Sequence, residues 1–584
     1  MSRNHRIIVK SVGLALASAS VLALAALPSA AQYKITVSQE RLLNAQNEPQ
    51  NWLMMNGDYS SQRYSKLTQI TRDNVKNLRL VWALALRGMQ DVGQNGPENE
   101  VHPLIDNGFM YTSDGWGTLY KIDARDPNKG EFVWVNDLGV RHEGNVPRTR
   151  GFALWEDLVI ESLPDGRVVA VNRDSGEPVW DKKVARLDEF GRTDRFDTAP
   201  LIAEGKVIVP AVGERGSLTA LDAKTGNELW RWYAVPKPGD PGSETWKDDH
   251  NAWKTGGGNI WQTGSYDPAT RLTIWGTGNP APGFDAQFRP GDNLYTNSVV
   301  AFDIDTGKLV WYFQYLPNDS WDWDEIGVHM LYDASINGES RKVVGHFGRN
   351  GFFYTLDRNN GQFISAEQYA QKINWTSGID PKTGKPIEYD PKKDLQVYKI
   401  GKPSRREQGK LQGCPNIQGG VNYFPTSYSR RTHLSYGGGL EACSFVTVDP
   451  LNDAAGDFWL GGKFANAEDV KGSVTTMNPS TGKKVAQLST DHGIASGVTT
   501  TAGGLVFTTT TDGTVYALDD ETLKPLWSFN TGSLSSAPPM TYAVNGKQYV
   551  AVLIGGNAQT RDLLNKTPAL KDVQNTSMLF VFSL

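Results

Sequence analysis

Residues 168–180 read VVAVNRDSGEPVW, and residues 218–230 repeat the pattern as LTALDAKTGNELW. An alternating apolar run, an Asn or Asp, a Gly four residues on and a closing Trp spell two strands joined by a tight turn. The Asn or Asp side chain caps the turn, and Gly accepts its positive φ. The pattern recurs at 299–311 (VVAFDIDTGKLVW) and, with Leu523 in the glycine's place, at 515–527 (VYALDDETLKPLW), with a looser copy at 119–134 (LYKIDARDPNKGEFVW). Two more copies, FYTLDRNNGQFIS at 353–365 and VTTMNPSTGKKVA at 474–486, lack the final Trp.

Seven hairpin copies, with 46 residues between Trp134 and Trp180 and 50 between Trp180 and Trp230, imply an all-β chain. A repeat of roughly 40–50 residues built from short strands is the mark of a β-propeller, in which each blade buries its faces on its neighbours. The strand LRLVWALA at 78–85 and the final SMLFVFSL supply an eighth unit that closes the ring and removes free edges. The expectation is an eight-bladed β-propeller. The 81-residue gap from Trp230 to Trp311 and the stretch 365–416 are insertions on blade loops, where propellers carry function. The first insertion contains WKDDHNAWKTGGGNIWQTGSYDP, whose glycines and tryptophans suit a tight backbone around a flat ligand, or ordinary loops with structural Gly turns.

The first 31 residues carry Arg3, Arg6 and Lys10, an apolar run to Leu27 and a small-residue end, which is the form of a secretory signal peptide. The expected mature chain, 32–584, is a single exported domain with no membrane span. Removing those three bases takes the balance from 59 basic and 64 acidic residues to 56 and 64, a net charge of −8. Nucleic acid is excluded as a partner on that charge. Cys414 and Cys443, the only cysteines, read as a disulfide in an oxidising compartment, the alternative being two buried thiols. The sequence contains no CxxCH, so no covalent c-type haem is expected.

Residues 318–325, NDSWDWDE, alternate acids with tryptophans. Indoles seek burial and draw the carboxylates inward with them, where each needs a partner: a metal, a substrate proton or a salt bridge.

Four stretches in register, GTGNPAPGFDAQFRPGDN (276–293), PNDSWDWDE (317–325), GRNGFFYTLDR (348–358) and CPNIQGGVNYFPTSY (414–428), resemble the pyrroloquinoline quinone (PQQ) dependent alcohol dehydrogenases of the methanol dehydrogenase type. The resemblance runs from about Trp52 to the C-terminus. It implies a propeller with Trp-docking motifs, PQQ near its axis, and a Ca²⁺ or lanthanide ion beside the quinone. By the same resemblance Trp261 is the floor under the PQQ ring, Arg150 holds a PQQ carboxylate, and Glu100 and Thr198 touch the cofactor. Arg349 and Asn422 lie near the reactive carbonyl. Glu214, Asn279 and Asp322 bind the metal, Asp322 also being the catalytic base, and Cys414 with Cys443 match a structural disulfide. Glu214 has as its alternative a salt bridge to Arg215 or another base. Asp324 falls where lanthanide-using members place an extra carboxylate, which suits a trivalent ion; its alternative is a salt bridge beside the site.

Two departures enlarge the expected pocket. The adjacent cysteine pair of the family is replaced by Gly144 and Asn145, and Ala495 stands where a tryptophan is expected. A substrate bulkier than methanol, such as a secondary alcohol, follows. The implied activity is oxidation of an alcohol to aldehyde or ketone in the periplasm, with hydride transfer to PQQ and electrons passed to a soluble cytochrome c. The rival readings are a sugar or polyol quinoprotein dehydrogenase and a non-catalytic propeller scaffold of outer-membrane assembly.

Overall fold

The computed structural model describes residues 36–87, 98–141, 148–188, 191–399, 406, 409–449, 460–556, 570, 573 and 575–584. The expected signal peptide, 1–31, and positions Gly144 and Asn145 lie outside these residues.

The repeats fold as hairpins, for the reason their turn residues supply. Asn172 accepts hydrogen bonds on its side-chain oxygen from the Asp174 and Ser175 N–H groups (2.8 and 3.0 Å), and Gly176 closes the turn with φ 79°. The flanking strands, Arg167–Asn172 and Pro178–Lys183, then pair antiparallel. Asp222 does the same for the strands Ser217–Asp222 and Glu228–Tyr233.

Among the described residues, eight sheets each contain four antiparallel strands side by side. Six are continuous in sequence order, covering 104–136, 152–183, 201–233, 265–314, 330–368 and 498–530, and a seventh spans 427–490 with two strands of another sheet inserted within it. The eighth joins the two ends of the chain. Arg79–Ala85 pairs antiparallel with Met578–Ser583, which lies beside Lys547–Ile554 and then Met540–Val544. A three-stranded sheet built from Leu411–Gly413, Ser444–Val448 and Gly462–Asn466 comes from the long insertions. The described chain is almost devoid of helix, its one α-helix being Gln39–Leu43, and no described helix is long and apolar enough to cross a membrane.

The closing tryptophans join one sheet to the next. Trp180 Nε1 donates to the Ala223 carbonyl (3.1 Å), and its ring lies so close over Gly226 that a Cβ there would stand 2.7 Å from it. Trp230 donates to Ile304 (3.0 Å), and Trp527 to Leu78 (2.9 Å) across the joined ends. Each turn glycine therefore serves twice, for its backbone conformation and for the indole resting on it. Within the sheets successive apolar side chains are buried on both faces, as at Val207, Ile208 and Val209. Cys414 and Cys443 form a disulfide that ties down the loop 414–428.

Candidate active site

Loops from several sheets converge on a cavity of about 440 Å³. The loop 318–325 supplies its acidic wall, and the tryptophans between its acids determine how. Trp321 and Trp323 are buried and stacked with centroids 5.4 Å apart, and Trp323 Nε1 donates to the Asn416 carbonyl at 2.9 Å. Asp319 caps the loop by accepting the Trp321 and Trp323 N–H groups (2.9 and 3.0 Å). With both indoles buried in the core, Asp322 and Asp324 line the cavity. Asp322 adopts φ 65°, a left-handed conformation that a non-glycine residue holds only at a cost.

The two carboxylates differ in their partners. Asp324 accepts the Asn279 N–H at 2.7 Å on one oxygen and pairs with Arg349 Nη1 through the other. Asp322 Oδ2 lies 3.7 Å from Arg349 Nη2, while its Oδ1 is buried with no hydrogen-bond partner among the described residues. Burial pushes the Asp322 pKa well above the usual carboxylate range; Arg349 opposes the shift, and Asp324 and Asp319 add to it. Burial also raises the Asp324 pKa, against the pull of Arg349.

Glu214 faces the same cavity and pairs with Arg192 Nη1 at 2.9 Å. Burial raises its pKa to about 7. Its neighbour Arg215 turns away, donating to the Val235 carbonyl and lying over the Tyr233 and Trp253 rings. Asn279 lines the cavity, its amide donating to the Pro280 carbonyl at 2.9 Å. Arg150 lies over both Trp261 and Tyr423, 4.8 and 4.7 Å from their ring centroids, and pairs with Glu100 (2.5 Å) and Asp197 (3.2 Å). Such stacking on two aromatic faces holds a guanidinium in place while leaving its edge for an anion. Phe424, Leu440, Val470 and Ala495 form an apolar wall, in one cluster against which Trp261 packs.

Two expected contacts do not line the cavity. Thr198 is fully buried and donates its hydroxyl to Asp197 Oδ1 at 3.3 Å. Asp197 takes the place on the wall because Arg148, Arg150 and Arg195 all reach its carboxylate, and together they hold its pKa low against burial. Asn422 is consumed within its own loop, donating to the Gln418 carbonyl and side chain (3.0 and 3.1 Å) and accepting the Tyr423 N–H (2.7 Å). Gln418, Asn416 and Tyr423 line the cavity instead. The sequence signal for the missed wall was the charge-dense run GRTDRFD at 191–197, which lies outside the repeats. Among the described residues no three His, Cys, Asp or Glu side chains already converge as metal ligands, Glu214 being drawn to Arg192 and Asp324 to Arg349.

Residues 52–368 and 462–550 match the PQQ family described as glucose/ethanol/alcohol dehydrogenase, beta-propeller domain. The chain belongs to this family. It is 33% identical over 592 residues to the quinoprotein alcohol dehydrogenase PedH of Pseudomonas putida, covering 96% of each. It is 32% identical to methanol dehydrogenase (cytochrome c) subunit 1 of Methylobacterium organophilum, over 92% of this chain and 89% of that one. A solved europium-containing methanol dehydrogenase matches with a TM-score of 0.83 at 28% identity, covering 93% of this chain and 100% of that one. The quinohemoprotein alcohol dehydrogenase from Comamonas testosteroni matches with a TM-score of 0.82 at 30% identity, over 94% of this chain and 82% of that one. The all-β architecture is thus that of the PQQ β-propeller family, and the chain is a PQQ-dependent alcohol dehydrogenase.

Proposed function

We propose that the chain works in the periplasm, oxidising an alcohol to an aldehyde or ketone in the 440 Å³ cavity with PQQ and a Ca²⁺ or lanthanide ion, and passes electrons to a soluble cytochrome c. Its eight sheets of four or five strands are, in this reading, the blades of an eight-bladed propeller docked through tryptophans. The observation that carries the reading is Asp322 Oδ1, a buried carboxylate oxygen without a hydrogen-bond partner on the wall of that cavity. Leaving such an oxygen unpaired costs on the order of 1–3 kcal/mol or more, which a bound ligand recovers.

The residues present fit both cofactors. Trp261 offers a flat face to a conjugated quinone, and Arg150 a guanidinium to its carboxylates. Glu214, Asn279, Asp322 and Asp324 supply the oxygen donors that hard cations take, and they share one cavity. The third carboxylate of that set, Asp324, favours a trivalent ion by charge, and the europium-containing relative supports the same preference. When bound, PQQ and the metal supply the two-electron acceptor and the positive charge that makes an alcohol hydroxyl more acidic.

Asp322 Oδ1 takes the hydroxyl proton of the alcohol. A pKa raised by burial makes the ionised carboxylate a stronger base, and Arg349 nearby favours that ionised form. Arg349 also lends positive charge where an oxygen gains electrons during the reaction. The apolar wall of Phe424, Leu440, Val470 and Ala495 keeps water away and receives the carbon skeleton. Because Ala495 contributes only a methyl group, the wall suits an alcohol bulkier than methanol, such as a secondary alcohol.

The test is reconstitution of metal-free protein with PQQ and either Ca²⁺ or La³⁺, followed by dye reduction with primary and secondary alcohols. The proposal expects activity only when both PQQ and a metal are added, greater with La³⁺ and retained on secondary alcohols. No alcohol-dependent reduction with either metal would remove the proposal, and equal activity with Ca²⁺ would remove the trivalent preference.

A further inference from the structure

The acidic loop ends in Glu325, a fully buried carboxylate outside the cavity wall. Its Oε2 accepts the backbone N–H of Arg349 at 3.2 Å and lies 2.8 Å from His346 Nε2. The His346 ring stacks on His329, with centroids 4.1 Å apart and planes 5° from parallel, and His329 Nε2 meets the Tyr315 hydroxyl at 3.0 Å. The glycines around Glu325 keep this approach open. A Cβ on Gly348 would stand 2.9 Å from Glu325 Oε2, and one on Gly276 would collide with the Glu325 carbonyl. On its other side, the turn that carries Arg349 is held by Tyr369, whose hydroxyl donates to the Gly348 carbonyl at 2.7 Å. Glu325 N–H donates to the Thr277 carbonyl at 3.1 Å, so one residue ties together the segment leading to Asn279, the acidic loop and the Arg349 turn.

We propose that Glu325 is a positioning residue for Arg349, fixing the guanidinium between Asp322 and Asp324 through the Arg349 backbone N–H. The inference rests on the role given above to Arg349 in alcohol oxidation. The lever is short: Glu325 adjoins Asp324 in sequence and grips the main chain of the residue that Asp324 pairs with through its side chain. His346, backed by the stacked His329, keeps the carboxylate from swinging away. Loss of Glu325 leaves the Arg349 N–H buried and unpaired, and the turn then shifts to find another acceptor.

Glu325→Ala and Glu325→Gln, loaded with PQQ and metal, test this by three readouts: kcat and KM for alcohol, PQQ affinity from quenching of tryptophan fluorescence, and the position of Arg349 in crystals. Glu325→Ala is expected to lower kcat by roughly 10- to 100-fold while KM and PQQ affinity stay within about threefold, the pattern of a misplaced group rather than a lost binding site. Glu325→Gln, whose amide oxygen still accepts the Arg349 N–H, is expected to recover to within roughly fivefold of wild type. A kcat within about threefold of wild type in Glu325→Ala overturns the inference. So does a Glu325→Gln protein that loses rate and PQQ affinity together. If the alanine variant does not fold, the glutamine variant still decides by the same two readouts. Should the wild-type protein oxidise no alcohol, the reaction proposed above fails separately, and the crystals decide: Arg349 displaced from Asp324 in a variant supports the positioning role, and Arg349 unmoved refutes it.

Discussion

Asp324→Asn separates the two roles open to that carboxylate, ion-pair partner and metal ligand. The Asp324 and Arg349 side chains are only 6% and 3% exposed, so solvent cannot replace the charge that is removed. Breaking a buried pair by deleting one partner costs about 3–5 kcal/mol. Two features place the expected loss at the low end. Arg349 keeps Asp322 Oδ2 at 3.7 Å as a second counter-charge, and the asparagine oxygen can still accept the Asn279 N–H. The expected destabilisation is therefore about 3 kcal/mol, insensitive to salt because the pair is screened little. The assay is urea unfolding of metal-free, PQQ-free protein followed by tryptophan fluorescence, comparing midpoints at a common slope. A loss below about 1 kcal/mol would refute the reasoning, since Arg349 would then not depend on Asp324. Repeating the measurement with La³⁺ adds the second role: if Asp324 is also a ligand, La³⁺ stabilises wild type more than the variant.

Trp261→Ala removes the flat face under the cofactor together with the Arg150 contact, and is expected to weaken PQQ binding by roughly 10-fold, measured by equilibrium dialysis; unchanged affinity would move the quinone elsewhere in the cavity. Ala495→Trp fills the apolar wall and should lower kcat/KM for a secondary alcohol at least about 10-fold more than for methanol, an outcome read from paired steady-state assays. Equal loss on both substrates would mean that Ala495 does not border the substrate.

The repeat was legible because its information is local. Asn172, Gly176 and Trp180 each act within a few residues or on the adjoining turn, so spacing alone reveals the hairpin and the place of its indole. The alternation in NDSWDWDE was legible for a similar reason: with Trp321 and Trp323 buried, Asp322 and Asp324 line the cavity. Choice of partner was not legible. Thr198 gives way to Asp197 because three arginines, Arg148, Arg150 and Arg195, gather on one carboxylate, and no spacing in the sequence records that meeting. Asn422 is satisfied by Gln418 four residues earlier, and Glu214 pairs with Arg192 rather than with the adjacent Arg215, whose guanidinium finds a carbonyl and two aromatic rings. Glu325 has no motif of its own; only the closeness of the Arg349 N–H and His346 gives it a role.

The central claim is that Asp322 removes the alcohol proton in this cavity, and single-turnover reduction of bound PQQ tests it most directly. Wild type and Asp322→Asn, both loaded with PQQ and metal to the same occupancy, are mixed anaerobically with alcohol and followed by the absorbance of the quinone. The account predicts that wild type reduces its quinone with one equivalent of alcohol, while Asp322→Asn retains PQQ but reacts more slowly by at least about 10²-fold. Reduction in Asp322→Asn within about threefold of the wild-type rate would contradict it.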